Sequence, residues 1–132
     1  MTIAVAHQVS ATSRLALVEA VKEANYRGTD LAVLHVVDSI DADNKEAYRL
    51  GVADEIEKIV GAGPPAPSWQ LHLETAGGDL GDALLRLVNA VGADLLVIGA
   101  RRRSPVGKAL LGSVAQTVIL EANLPVLVVK AP

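Results

Sequence analysis

A chain of 132 residues and 13.7 kDa has room for one compact domain, expected to span residues 1–132, and little else. Hydrophobic residues make up 51% of it and aromatic ones only 2%, with a net charge of -3. This excludes disorder and any single-stranded nucleic-acid reader built on stacked aromatics. The absence of cysteine excludes disulfides, thiolate metal sites, iron–sulfur clusters and cysteine nucleophiles, and an isoelectric point near 5.5 argues against a dedicated DNA binder.

Met1 to Val5 lacks the charged region of a signal peptide and leads into a first strand, Ile3 to Ala6. Ser10, Thr12 and Ser13 offer capping oxygens for a helix in which Leu15, Val18, Val21 and Ala24 recur at helical spacing, and Gly28 stops it. Leu31 to Val37 is the second strand. Asp38 to Asn44 is polar and opens a helix with Leu50, Ala53, Ile56 and Ile59 or Val60 as its buried stripe. The Gly- and Pro-rich stretch Gly61 to Pro67 is a surface connection. Trp69 to Glu74 is the third strand, followed by a tight turn at Gly77-Gly78 and a helix from Asp79 to Val91 that turns Leu84, Leu85 and Val88 inward. Leu95 to Gly99 has no polar interruption, which places it inside the sheet. A basic loop, Ala100 to Pro105, enters a last helix from Val106 to Glu121, and Pro125 to Lys130 is the fifth strand. No apolar run approaches the ~20 residues that span a bilayer. The expectation is a soluble cytoplasmic protein with no membrane and no nucleic-acid partner.

The order βαβαβαβαβ predicts an α/β fold, doubly wound, with helices on both faces of a parallel sheet. Ligands of such sheets bind beyond the carboxyl ends of the strands, which directs attention to residues 6–13, 36–44, 75–80 and 99–113.

The strongest signal there is the loop from Gly99 to Lys108. It leaves a buried strand, carries Arg101, Arg102, Arg103 and Lys108, and enters a helix whose first N–H groups are unpaired. Gly112-Ser113 one turn later adds a gap and a hydroxyl. A P-loop is absent, because Arg102 stands where its first glycine belongs and Ala109 follows the lysine. The dinucleotide fingerprint fails at Ala76, so Gly77-Gly78 reads as a turn. His7, at the end of the first strand, has no evident acid, base or metal partner and reads as structural. Asp38, Asp41, Asp43 and Glu46 lack the calcium-loop spacing and read as a solvated helix start. Ser113 lies in Leu111-Gly112-Ser113-Val114-Ala115, which is no nucleophile elbow, and no catalytic residue is expected.

The spacing of Gly99, Gly112 and Ser113 resembles the nucleotide-binding motif of the universal stress protein family: Gly, two residues, Gly, nine residues, Gly, then Ser or Thr. Ile3 to Leu17, Leu34 to Asp38, Ala93 to Gly99 and Leu124 to Val129 are similar to that family's strand regions, so the resemblance covers nearly the whole chain. It implies a five-stranded sheet in the order 3-2-1-4-5 and an adenine nucleotide, ATP with or without magnesium, across the first and fourth strands. By position, Gly99, Gly112 and Ser113 would receive phosphate with the Val114 amide nearby, and Ala6, Gln8 and Val36 would surround adenine and ribose. Two positions depart from the family. Gln8 replaces an acid and cannot serve as an anionic acceptor or metal ligand. Arg102 replaces the second glycine, and either obstructs the phosphate path or clamps phosphate from outside. The implied function is a stress-response module, not an enzyme, that binds nucleotide and forms a homodimer through the last strand. The alternatives are a member that acts by protein contacts alone and, with less support, a small nucleotide hydrolase.

Overall fold

A computed structural model of the chain describes residues 1–8, 11–61, 66–101 and 112–131. Five strands, β1 (Thr2–His7), β2 (Asp30–Val37), β3 (Trp69–Thr75), β4 (Leu95–Arg101) and β5 (Val126–Ala131), form one sheet in the order β3-β2-β1-β4-β5. All neighbours are parallel, as short apolar strands joined by helices require. The α/β architecture and strand order implied by the resemblance are those of the molecule.

Four helices cover the sheet: α1 (Ala11–Arg27), α2 (Lys45–Val60), α3 (Leu80–Val91) and α4 (Ser113–Glu121). Alternation along the strands sorts the core into two layers. Ile3, Val5, Leu31, Val33, Leu71, Leu95 and Val97 face α1 and α2. Ala4, Ala32, Leu34, Val36, Leu96 and Ile98 face α3 and α4.

The helices start and stop where local chemistry allows. Asp79 Oδ1 accepts the Asp82 N–H at 2.9 Å and caps α3. Asp41 accepts the Asp43 N–H at 3.2 Å and caps a short 3-10 turn, Ala42–Asn44, that leads into α2. The acidic stretch is thus a helix start, as expected. Gly77 and Gly78 take φ values of +62° and +110°, which side-chain-bearing residues rarely adopt, and form the turn between β3 and α3. Thr12 and Ser13 lie inside α1 and are not its caps; Ser10 lies outside the described residues, as do residues 106–111 of the expected last helix.

The buried faces of two helices differ from those expected. Leu15 and Val18 of α1 are 40% and 41% exposed, whereas Ala16, Leu17, Ala20 and Ala24 are buried. In α2, Leu50 is exposed, and Val52, Ile56 and Val60 are buried. Each helix offers two overlapping apolar rows, and the row with alanine at i, i+4 and i+8 lets α1 sit closest to the sheet. No described helix is long and apolar enough to cross a membrane.

Candidate functional site

From β1 the chain moves to one side of the sheet, toward β2, and from β4 it moves to the other, toward β5. Beyond the carboxyl ends of these adjacent strands the described residues leave a crevice. It is a cavity of about 460 Å³ lined by Ala6, His7 and Gln8 of the β1 end, Thr12 and Ser13 of α1, and Val36 of β2. Leu80 and Leu84 of α3, Ile98, Gly99 and Ala100 of β4, and Gly112, Ser113, Val114 and Ala115 at the start of α4 complete it. Every residue singled out from the sequence as a nucleotide contact therefore reaches one cavity except Arg102, which lies outside the described residues.

The lining is of two kinds. Ala6, Val36, Leu80, Leu84 and Ile98 form an apolar wall. Val5, next to Ala6 on β1, is fully buried in the opposite layer among the residues under α1, because the strand alternates its side chains. Leu80 and Leu84 were not singled out as site residues, although the helical spacing of α3 already turned Leu84 inward.

The polar part is built from two helix beginnings. At α4, Gly112 stands at the cap position and makes no side-chain cap bond, while its carbonyl accepts the Gln116 N–H at 3.0 Å. The amides of Ser113, Val114 and Ala115 open the helix, in the turn whose N–H groups have no partner within the helix itself. A Cβ placed on Gly112 would meet nothing within 4 Å. At α1, Ser13 Oγ accepts the Gln8 N–H at 3.0 Å and holds the end of β1 against the first turn of the helix. The positive ends of both helices thus face the crevice. No charged side chain stands among its described lining residues.

Gly99 has a reason to be glycine that owes nothing to a ligand. A Cβ there would lie 2.7 Å from both Cγ2 and the carbonyl oxygen of Thr12, so its absence lets α1 begin directly over β4. Gly81 serves α3 in the same way against Thr117, at 3.0 Å.

His7 is not the isolated histidine that the sequence suggested. Its Nδ1 lies 2.9 Å from Nδ1 of His35, and His35 Nε2 lies 2.7 Å from the Tyr48 hydroxyl. Both rings are buried, and His7 Nε2 and Glu55 Oε1 are buried polar atoms without a hydrogen-bond partner among the described residues. Burial, and next the charge that His7 would carry, hold His35 down to about 4. Burial also lowers His7, against an opposing pull from the Glu55 carboxylate. Both imidazoles are therefore neutral at pH 7.

No three metal-ligating side chains come together among the described residues. The crevice offers magnesium no carboxylate, and the residues present do not fit an ion held by the chain itself.

The sequence pattern of the universal stress protein family matches residues 1–130. A universal stress protein of Mycolicibacterium smegmatis is 36% identical over 129 residues, covering 97% of this chain and 96% of that one. The structure of the universal stress protein from Archaeoglobus fulgidus in complex with dAMP is similar with a TM-score of 0.71 and 31% identity, over 98% of both chains. A universal stress protein crystallised in complex with cAMP is similar with a TM-score of 0.69 and 25% identity, over 98% of this chain and 96% of that one.

Proposed function

The chain belongs to the universal stress protein family, and from that membership and the crevice we propose that it binds an adenine nucleotide between the ends of β1 and β4. The observation that carries this reading is the composition of that one cavity. An apolar wall large enough for a base faces two helix N-termini and an open glycine, which together suit a phosphate. The dAMP and cAMP complexes of the two relatives support an adenine nucleotide over other anions. Base and ribose lie against Ala6, Val36, Leu80 and Leu84, Gln8 hydrogen-bonds the sugar or base through its neutral amide, and phosphate meets the Ser113 hydroxyl and the Val114 amide. ATP is accommodated with its outer phosphates extending past Ser113. Any magnesium would be carried by the nucleotide's phosphates and not by side chains of this crevice.

The protein acts by binding and not by turnover; the imidazole among the described lining residues, His7, is engaged with His35 away from the apolar wall. It works as a cytoplasmic stress-response module and as a dimer through the edge strand β5. Denaturing freshly purified protein and identifying the released nucleotides, followed by calorimetric titration with ATP and AMP, tests the reading. Release of an adenine nucleotide or saturable titration is expected. Gly112→Val, whose side chain would grow into the open space beside Ser113, should weaken binding at least tenfold, about 1.4 kcal/mol. No released nucleotide and no titration at millimolar concentration overturns the reading. The second reading, protein contacts alone, then takes its place, favoured by Gln8 at an acid position and by exposed Leu120 on α4.

A further inference from the structure

Beneath the crevice, on the α1 and α2 side of the sheet, lies a polar group that nucleotide binding does not use. We propose that the His7–His35 pair is a proton site coupled to the crevice, so that an anionic nucleotide binds together with a proton held by the pair. This rests on the nucleotide reading above and adds to it a second, unexpected ligand: the proton.

The pair can gain a proton by reversing one hydrogen bond, with the Tyr48 hydroxyl turning its own hydrogen away and the heavy-atom contacts kept. In the neutral pair only one of the facing Nδ1 atoms, 2.9 Å apart, carries hydrogen. With the Tyr48 O–H donating to His35 Nε2 and His35 Nδ1–H donating to His7 Nδ1, His7 carries its hydrogen on Nε2. That buried donor and the buried acceptor Glu55 Oε1 have no hydrogen-bond partner among the described residues. A proton from solvent enters at His35 Nε2, which then donates to the Tyr48 oxygen at 2.7 Å. Every existing contact survives, and the new positive charge is shared across both rings.

Few charges surround the pair. From α2 come Tyr48 and Glu55, while Arg49 of the same helix reaches away to the Leu71 carbonyl at 3.5 Å. From α1 comes Arg14, whose Nε lies 3.8 Å from Glu55 Oε1, and β3 sets Leu73 beside His35. Burial keeps the pair neutral at pH 7. His7 also lines the crevice, so an anion seated there acts on the pair through low-dielectric protein and favours its charged form. By reciprocity the protonated pair tightens the anion's hold.

Calorimetric titration of the full chain with AMP at pH 6, in buffers of different ionisation enthalpy, counts the protons taken up on binding. Uptake by the wild type should exceed that of His35→Leu, and AMP affinity should gain roughly three- to tenfold over that variant between pH 7.5 and 5.5. The phosphate of AMP titrates in the same range for both proteins, so the difference reads the pair. Adenosine, which has no phosphate, should show no such difference. Glu55→Gln, which leaves the rings in place, removes the counter-charge and should move the uptake to lower pH, and it keeps the test decisive if His35→Leu does not fold. AMP binding with equal proton uptake in the wild type and both variants overturns the coupling while leaving the nucleotide reading intact. Absence of AMP binding at every pH overturns the nucleotide reading itself, and the coupling with it.

Discussion

The glycine at position 99 shows how one residue can carry two explanations. Its spacing to Gly112 belongs to a nucleotide motif, yet the Thr12 carbonyl 2.7 Å from a would-be Cβ already forbids any side chain. Gly99→Ala should therefore destabilise the fold by on the order of 1–3 kcal/mol, read from the urea midpoint without ligand, because backbone and not a flexible side-chain end must move. An unchanged midpoint would return this glycine to the ligand alone. The buried histidines make a second residue-scale prediction. His35 is held down to about 4 against an ordinary 6.5, so between those values the unfolded chain takes up a proton that the folded chain refuses. Stability is full above pH 6.5 and falls as pH drops toward about 4, by at most roughly 1.4 kcal/mol per pH unit for each such proton. Unfolding of the ligand-free wild type and of His7→Val/His35→Leu at pH 7.5, 6 and 5 should give a shallower acid slope in the variant. Equal slopes would mean that the pair titrates as freely in the folded chain as in the unfolded one.

Among the elements, α1 carries the most information, because it packs on the sheet with one face and lines the crevice with its first turn. Leu17 is fully buried between that helix and the sheet, whereas Leu15, two positions earlier, is 40% exposed. Leu17→Ala should cost about 3 kcal/mol and Leu15→Ala well under 1 kcal/mol, measured by chemical unfolding. Reversal of that order would mean that the helix is rotated on the sheet. The same rotation aims Thr12 and Ser13 at the crevice, so the packing of one face positions the other. At the far side of the cavity α4 does the equivalent work with shorter means. It buries Ala115 and Val118 and leaves its first amides toward the opening.

For the molecule as a whole, the asymmetry of the sheet matters. Both β3 and β5 are edges. The side chains of β5 pack into both layers, Val126 and Val128 with α3 and α4, Leu127 and Val129 with α1 and α2. They are half-buried and do not form a bare apolar surface. The unpaired backbone edge of β5, together with exposed Leu120, nevertheless invites a second copy. Light scattering at tens of micromolar should give a dimer, and Val128→Lys should return it to a monomer. A wild-type monomer at that concentration would count against pairing through this strand.

Alternation of apolar runs with helical spacing, read from the residues alone, already determined the class of the fold and the existence of nearly every element. It did so because parallel strands buried on both faces leave a continuous apolar trace. The family resemblance named seven of the fifteen residues that line the crevice, those of the phosphate side because phosphate sites depend on glycine and a hydroxyl at set intervals. Which helical row turns inward was not legible: Leu15 and Ala16 differ by one position, and only contact with the sheet chooses between them. Nor was the meaning of His7. It and His35 are far apart along the chain, and each alone looks like an ordinary strand residue. The parallel register that sets His7 beside His35 brings their Nδ1 atoms within 2.9 Å. Packing of α2 then adds Tyr48 and Glu55. Partnership between distant polar groups is a property of three-dimensional burial, and burial is decided only when the layers close.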